Sequence, residues 1–324
     1  MVHARIIGTG AYVPEDILTN HDLEQIVDTS DQWITERTGI KVRHRVKDET
    51  TSDLAAKAAI RALEMAQLDA NELDLIIVAT ITPDYIFPSV SCLIKSKIGA
   101  KRAAAFDLSA GCSGLVYGLS VAKSFIISGQ YRHILVIGAE VLTSIVNWED
   151  RNTCVLFGDG AGAVVVGPSE EPGIIDYIIA ADDKDAMELC LPAGGVAQPI
   201  TCELIEEKQN KLYMNGAAIF KLGVKAMATV SRNILKKNHM TPADIDWLIP
   251  HQANIRIIQS VGELLKIDPQ KVIINVENYG NTSAASIGLA LDEAIRDGRI
   301  QKGHHVVLTA FGAGLTWAGM LFRY

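Results

Sequence analysis

The sequence contains few cysteines and few aromatic residues, and it lacks a long hydrophobic run. Its five cysteines are widely spaced and form no Cys-x-x-Cys pair: Cys92, Cys112, Cys154, Cys190 and Cys202. An odd number at such spacing is typical neither of a disulfide framework nor of a zinc site, and it favours a reducing, cytoplasmic location. No apolar run approaches the ~18 residues that a membrane span needs. The N-terminal residues are soon broken by glycine, so we expect no signal peptide and no membrane association.

Basic charge is also scarce. The 324 residues include 30 Lys and Arg against 38 Asp and Glu, a net charge of −8 at pH 7. General nucleic-acid binding needs a basic face and is therefore not expected. The one local basic cluster follows a helix predicted over 28–40 and comprises Lys41, Arg43, Arg45 and Lys47. It suits a phosphate or an acidic partner, and it suits a solvated charged face equally well.

A turn between a predicted strand and a predicted helix carries Cys112. Residues 103–108 are short and apolar and are followed by small residues, which predicts a buried strand ending in a tight turn. Apolar residues then recur at helical spacing from Leu115 until a Ser-Gly pair at 128–129. The positive end of a helix dipole at Cys112 would favour its thiolate. A buried, unreactive cysteine is the other interpretation of this stretch alone.

The chain repeats itself. Three blocks recur in the same order: 71–79 with 243–251 at an offset of 172, 105–129 with 275–298 at 169, and 134–138 with 306–310 at 172. Each half is predicted as strand, strand, buried helix, strand, which indicates an α/β fold of mixed, mostly parallel sheets layered α-β-α-β-α. We place the halves at 1–172 and 173–324. Cys112 and Asn281 then fall at equivalent turns.

Two further residues stand at turns of this pattern. His251 lies between a predicted strand and a helix starting near Asn254, at a sheet edge where α/β proteins bind ligands. Asn281 precedes an Ala-rich helix and could equally be its N-cap. If the halves pack about a twofold axis, Cys112, His251 and Asn281 would meet in one central site.

Three other stretches give weaker indications of where a ligand could bind. Residues 84–89 place aromatic side chains at the C-terminal end of a strand, a position that suits a ligand or the core. Residues 157–163 are glycine-rich, but they lack GxGxxG spacing and a following helix, so they predict a structural turn and no phosphate loop. Residues 182–211 are polar and broken by proline and glycine, which predicts a surface excursion over the site.

Together these motifs resemble the β-ketoacyl-acyl-carrier-protein synthase III family, initiating condensing enzymes of the thiolase superfamily. The resemblance runs essentially end to end, and its anchors are DTSDQWITERTGI at 28–40, the Cys112 turn, FGDGAGA at 157–163, PHQANIRII at 250–258, YGNTSAAS at 279–286 and AFGAGLTW at 310–317. It implies the five-layered thiolase-like fold and a Cys-His-Asn triad at Cys112, His251 and Asn281. Asparagine in the second half distinguishes this branch from elongating synthases, which use two histidines, and from thiolases, which use a second cysteine.

The resemblance implies a decarboxylative condensation that initiates fatty acid biosynthesis. Cys112 would accept the acyl group of an acyl-CoA starter, with the backbone N–H groups of Cys112 and Ala313 as the oxyanion hole. His251 and Asn281 would then stabilise the enolate formed when malonyl-acyl-carrier-protein loses carbon dioxide. Burial should keep the imidazole neutral for that role. No metal or redox cofactor is implied, and the expected partners are acyl-CoA, acyl carrier protein and a second copy of the chain.

Other roles follow from the same resemblance, position by position. The implied CoA contacts are Trp33, Arg37, Arg151 and Asn254. The implied carrier-protein contacts are Gln252, Ala253, Asn254, Ile255 and Arg256. The implied acyl pocket contains Phe311, beside the cysteine, and Phe87, contributed across a homodimer.

Three positions depart from the family pattern, and several functions stay open. Ala313 stands where many members have glycine, Ala217 replaces a polar CoA contact, and Glu263 stands where a basic residue often assists carrier-protein docking. An acyl-CoA thioesterase or acyltransferase, a condensing enzyme of secondary metabolism and a non-catalytic binding protein would share this fold. The length and branching of the starter acyl group are not predicted.

Overall fold

The computed structural model describes residues 2–324. Its strands are β1 (His3–Tyr12), β2 (Asp16–Thr19), β3 (Val42–Arg45), β4 (Leu75–Ala79), β5 (Ala104–Leu108), β6 (Ile134–Val141), β7 (Asp159–Ser169), β8 (Ile174–Ala181), β9 (Leu189–Cys190), β10 (Tyr213–Met214), β11 (Trp247–Pro250), β12 (His305–Gly312) and β13 (Thr316–Arg323). Its α-helices are α1 (Asn20–Glu24), α2 (Asp31–Thr38), α3 (Thr51–Ala66), α4 (Val90–Ile98), α5 (Gly114–Ile127), α6 (Arg151–Cys154), α7 (Cys202–Glu206), α8 (Gly216–Lys237), α9 (Ile255–Leu265), α10 (Val276–Tyr279) and α11 (Ser286–Arg296).

Two mixed sheets form the frame. The first has the strand order β1-β7-β6-β4-β5, with β4 parallel to both β5 and β6 and the other pairs antiparallel. The second has the order β11-β12-β13-β8, with β11 and β12 parallel and the other pairs antiparallel. The mixed sheets were expected, but among the strand pairs of these two sheets within residues 2–324 three are parallel and four are antiparallel, so the sheets are not mostly parallel.

Helices cover both faces of each sheet. One core cluster joins α5 and α11 to the inner faces of both sheets, so these two helices form a central layer. Helices α3 and α4 pack on the outer face of the first sheet, and α8 and α9 pack on the outer face of the second. Every residue of β4 and β6 is buried, as expected for strands covered on both sides. The predicted α-β-α-β-α layering is confirmed.

The internal repeat has a single spacing of 172 residues. Gly114 begins α5 and Ser286 begins α11, and each helix follows a short 3₁₀ turn, Gly111–Ser113 or Ser283–Ala285. Gly111 and Ser283 have the same left-handed backbone, with φ of 51° and 47°. The predicted offset of 169 for this block is therefore wrong. Cys112 is equivalent to Ala284, and Asn281 lies three residues before that position.

The second half also lacks a counterpart of β5, because Val272 forms only an isolated parallel bridge with Leu248 within the part of the chain described. Strand β5 itself lies at the edge of its sheet, and Phe106 is 37% exposed. The prediction of a buried strand here is wrong for the single chain. The expected turn at 157–163 is also mostly strand, since β7 begins at Asp159.

Glycines let the two halves touch through their backbones. A Cβ atom on Gly162 of β7 would lie 2.6 Å from Gly288 Cα of α11, and one on Gly138 of β6 would lie 2.1 Å from Ala284 O. Neither position has room for a side chain. Within residues 2–324, none of the helices is both long and apolar enough to cross a membrane.

Candidate active site

Cys112 lies in the 3₁₀ turn between β5 and α5, where two glycines let a second backbone segment approach it. Gly111 has a φ of 51°, and a Cβ there would lie 2.8 Å from Ala313 N. A Cβ on Gly312 would lie 2.3 Å from Cys112 N. The β12–β13 connection is thereby held directly against the cysteine. The backbone N–H groups of Cys112 and Ala313 lie close enough to the Cys112 sulfur to lower the pKa of its thiol.

Burial dominates the electrostatics of the cysteine. It raises the pKa of the Cys112 thiol to about 11, and the ionised Glu140 carboxylate contributes in the same direction. Hydrogen bonds from the Ser283 hydroxyl and from the two N–H groups lower the pKa but do not compensate. Burial thus opposes the thiolate that the helix terminus would favour, and it keeps the resting Cys112 side chain protonated.

His251 follows β11 and is buried. Burial lowers its pKa to about 4, so the imidazole is neutral at physiological pH, as expected. Its Nδ1 lies 2.7 Å from Ser286 Oγ, and this oxygen also accepts the Gln252 N–H at 3.4 Å. We assign the serine proton to the bond with Nδ1, which leaves Nε2 carrying the ring hydrogen.

Asn281 is held by a turn that orients its amide. Its Oδ1 accepts the Ser283 N–H at 2.9 Å, which leaves the Nδ2 hydrogens free to donate. Its backbone pairs with Phe157 in an isolated parallel bridge. The side chain is 7% exposed. The asparagine is therefore not the N-cap of α11.

One cavity of about 690 Å³ joins these groups. Cys112, His251 and Asn281 all line it, together with Phe311. Predicted CoA contacts Trp33, Arg37 and Asn254 line the same cavity, as does Ala217. The site that the repeat predicts at the junction of the two halves is thus present as one continuous space.

The Trp33 ring is flanked by two cations. The guanidinium carbons of Arg37 and Arg151 lie 4.9 Å and 5.1 Å from its centroid. Arg151 contacts this ring without lining the cavity. Asn254 caps α9 by accepting the Ile257 N–H at 2.9 Å. An aromatic ring with two arginines beside it is suited to a nucleotide base and its phosphates.

A smaller apolar cavity of about 170 Å³ also reaches Cys112. Its lining is mainly aliphatic and includes Ile81, Leu142, Ile145, Leu189, Leu191 and Leu212. Leu189 of β9 lies within the predicted excursion at 182–211, and Leu212 follows it directly. The excursion therefore contributes to the walls of this cavity.

Two residues that the sequence predicts to bind substrate or partner do not line either cavity. Phe87 is 83% exposed and lies outside both spaces as residues 2–324 define them. Gln252 is buried, and its amide is used internally, donating to the carbonyls of Pro250 and Ile273. Of the stretch 252–256, Arg256 is the exposed residue, and its guanidinium lies 5.6 Å from the Phe220 ring.

The basic cluster after α2 is not a binding patch. Arg43 is fully buried and donates to Asn20 Oδ1 at 2.8 Å and to two backbone carbonyls. Arg45 and Lys47 both pair with Asp16, and Lys41 pairs with Glu277. The solvated or internal interpretation holds, and the phosphate-binding one is wrong.

Sequence reasoning missed three polar residues behind the triad. Ser286 contacts His251, Ser283 contacts both Asn281 and Cys112, and buried Glu140 contacts Ser283. Glu140 had a detectable signal, because it is an acid in the otherwise apolar strand β6. The two serines had none beyond their place in the YGNTSAAS stretch.

A duplicated, five-layered body with a cysteine, a neutral histidine and an asparagine on one buried cavity defines the class of thiolase-like condensing enzymes. The chain matches 3-Oxoacyl-[acyl-carrier-protein (ACP)] synthase III over residues 106–183 and the C-terminal part of that family over residues 235–324. It belongs to the β-ketoacyl-[acyl-carrier-protein] synthase III family.

Individual relatives agree. The synthase III of Caldanaerobacter subterraneus subsp. tengcongensis is 53% identical over 100% of this chain and 98% of its own length. That of Clostridioides difficile is 49% identical over 99% and 98%. The crystal structure of the Aquifex aeolicus enzyme superposes with a TM-score of 0.92 at 48% identity, covering 99% of this chain and 100% of that one.

Proposed function

We propose that the protein condenses an acyl-CoA starter with malonyl-acyl-carrier-protein, releasing carbon dioxide and giving a β-ketoacyl-acyl-carrier-protein that initiates fatty acid biosynthesis. The observation that carries this proposal is the shared cavity, whose wall presents Cys112, a neutral His251 and the free amide of Asn281. The reaction is ping-pong, with an acyl-Cys112 intermediate between two half-reactions.

In the first half-reaction Cys112 attacks the thioester carbonyl and CoA leaves. The developing oxyanion is stabilised by the N–H groups of Cys112 and Ala313, which already converge on the sulfur. Because these donors belong to the backbone, alanine in place of glycine at 313 does not remove the second one.

In the second half-reaction the malonyl group loses carbon dioxide and its thioester becomes an enolate. His251 Nε2–H and Asn281 Nδ2–H donate to the enolate oxygen, a role that requires a neutral imidazole. The enolate carbon then attacks the acyl-Cys112 carbonyl and forms the new C–C bond. This chemistry uses side-chain and backbone donors and needs no metal or redox cofactor.

Substrate binding is assigned to the two cavities. Trp33 stacks on the CoA base while Arg37 and Arg151 face its phosphates, and Asn254 contacts the pantetheine arm. Phe311 and the apolar cavity beside Cys112 hold the acyl chain. Arg256 is the exposed cation on the 252–256 stretch and contacts the acidic carrier protein.

A second copy of the chain is part of the proposal. Tyr85, Ile86 and Phe87 are 61%, 91% and 83% exposed, beside the unpaired edge of β5. Exposed apolar patches and open strand edges are normally covered by a partner. A homodimer would cover them and bring Phe87 to the partner's acyl cavity. We also propose that 1–172 and 173–324 are the duplicated halves, and that the five free cysteines reflect a cytoplasmic location.

The decisive experiment compares the native protein with Cys112→Ala. Incubation with acetyl-CoA and malonyl-acyl-carrier-protein should give a β-ketoacyl product by mass spectrometry, and intact-protein mass should show an acyl adduct on the native chain alone. The variant should still release carbon dioxide slowly. Full condensation by the variant, or hydrolysis of acyl-CoA without condensation by the native protein, would refute the proposal.

A further inference from the structure

A fully buried carboxyl group lies close to the Cys112 sulfur and has no part in the chemistry above. Glu140 is the penultimate residue of the buried strand β6 and is 0% exposed. Its Oε1 accepts the Ser283 hydroxyl at 3.1 Å. Its Oε2 accepts from the segment that follows β4, with donors Thr80 Oγ1 at 3.2 Å, Ile81 N at 3.1 Å and Thr82 Oγ1 at 2.7 Å.

Ser283 connects this carboxyl group to the cysteine. Its hydroxyl donates to Glu140 Oε1, and both Ser283 and Cys112 line the apolar cavity, where the Ser283 side chain lies close enough to the sulfur to lower the pKa of the Cys112 thiol. The backbone of Ser283 has a φ of 47°, a conformation that residues other than glycine rarely adopt. The bond from its N–H to Asn281 Oδ1 holds it there. Ser283 therefore lies between the thiol and the carboxylate.

The surroundings of Glu140 favour a single negative charge. The segment after β4 and the turn at 283–285 contribute hydroxyl and N–H groups, and β7 places Gly160 opposite. The hydrogen-bond donors to this carboxyl within residues 2–324 are all uncharged, and the Cys112 thiol is a titrating group on which its charge acts. Burial raises the pKa of Glu140 to about 7, and its ionisation raises the pKa of Cys112. Moving a proton from Cys112 to Glu140 keeps the charge at one.

His251 is poorly suited to accept the thiol proton. Burial lowers its pKa to about 4, and its Nδ1 is already bonded to Ser286. Its ring hydrogen is assigned to Nε2, which makes that atom a donor. The buried carboxylate is the stronger base of the two at neutral pH.

We propose that Glu140 accepts the Cys112 proton through Ser283 during acyl transfer, an inference that rests on the function proposed above. The thiol proton passes to Ser283 Oγ while the serine proton passes to Glu140 Oε1. The electron pair left on sulfur forms the bond to the acyl carbon. The C–S bond to CoA then breaks, and a proton returned from Glu140 to the CoA sulfur restores the carboxylate.

Three substitutions test the relay. Glu140→Gln keeps the shape and removes the acceptor, so acylation at about pH 8 should fall by about 100-fold and lose its inflection near pH 7. Ser283→Ala should cause a similar loss. Thr82→Val removes a hydrogen bond that lowers the pKa of Glu140, so the inflection should move to higher pH.

The measurement is quenched-flow acylation of the full chain by acetyl-CoA or butyryl-CoA, followed by intact mass from about pH 5 to about pH 9. Asp159→Asn is the matched control, because Asp159 is a buried carboxyl on β7 bonded to Thr143. It should leave the pH profile unchanged. If Glu140 acted by its charge alone, Glu140→Gln would lower the thiol pKa and speed acylation.

Faster acylation by Glu140→Gln, or an unchanged profile in both Ser283→Ala and Thr82→Val, would overturn the relay. The latter two variants decide the question even if Glu140→Gln does not fold, which circular dichroism would reveal. Failure of the native protein to form any acyl adduct would instead refute the proposed function.

Discussion

The hydrogen bond between Ser286 and His251 should separate the two half-reactions. Ser286 Oγ lies 2.7 Å from His251 Nδ1 and accepts the Gln252 N–H, so its own proton is directed to the ring. The ring hydrogen then lies on Nε2, where the enolate oxygen needs a donor. Ser286→Ala removes the contact that holds this tautomer and leaves the imidazole buried.

The expected size of the effect follows from this one bond. Leaving a buried acceptor unpaired costs about 1–3 kcal/mol, which corresponds to a fall of about 5- to 150-fold in the decarboxylation rate. Acylation should change by less than about threefold, because the groups that set the pKa of the Cys112 thiol are Glu140, Ser283 and two backbone N–H groups.

The assay measures each half-reaction separately. Carbon dioxide release from malonyl-acyl-carrier-protein is compared in Cys112→Ala with and without Ser286→Ala, and acylation is followed by intact mass with Cys112 present. Ser120→Ala is the control, since this buried serine of α5 bonds the Tyr117 carbonyl of its own helix at 2.7 Å. Undiminished decarboxylation, or equal losses in both half-reactions, would contradict the assigned tautomer.

Two further predictions concern binding and stability. Trp33→Ala should raise the KM for acyl-CoA by about tenfold with little change in kcat, because it removes the ring assigned to the CoA base beside Arg37 and Arg151; steady-state kinetics would show this, and an unchanged KM would exclude the ring from CoA binding. Gly162→Ala should lower the free energy of unfolding by about 1–3 kcal/mol, because its Cβ would lie 2.6 Å from Gly288 Cα. Urea denaturation measures the loss, Gly195→Ala in open space should not share it, and equal stabilities would refute the close contact.

Features set by near neighbours in the chain were predicted well. Ser30 caps α2 and Gly39 ends it, as the pattern over 28–40 indicates. The positions of Cys112 and His251 after strands also follow from local apolar runs. The alignment of the repeat failed at Asn281 because matching polar residues slipped the register by three, whereas the backbone turns at Gly111 and Ser283 define the true spacing.

Features that depend on distant segments could not be predicted. The partners of Arg43 are Asn20 and two carbonyl groups from separate parts of the chain, so its place in a run of basic residues was misleading. The thiol pKa of Cys112 depends on how five layers exclude water, which a helix-end argument ignores. Glu140 and Ser283 are 143 residues apart, and no local pattern pairs them.

The glycine contacts between β7 and α11 have a consequence for how substrates reach the sulfur. The backbones of β7 and α11 meet at Gly162 and Gly288 with no side chains between them. Because such close packing resists displacement, we expect no hinge motion between the two halves. The excursion at 182–211 lies outside this close contact, and Leu189 and Leu191 within it line the smaller cavity beside Cys112. We therefore expect any widening of the cavity during turnover to come from the excursion and not from the layered core.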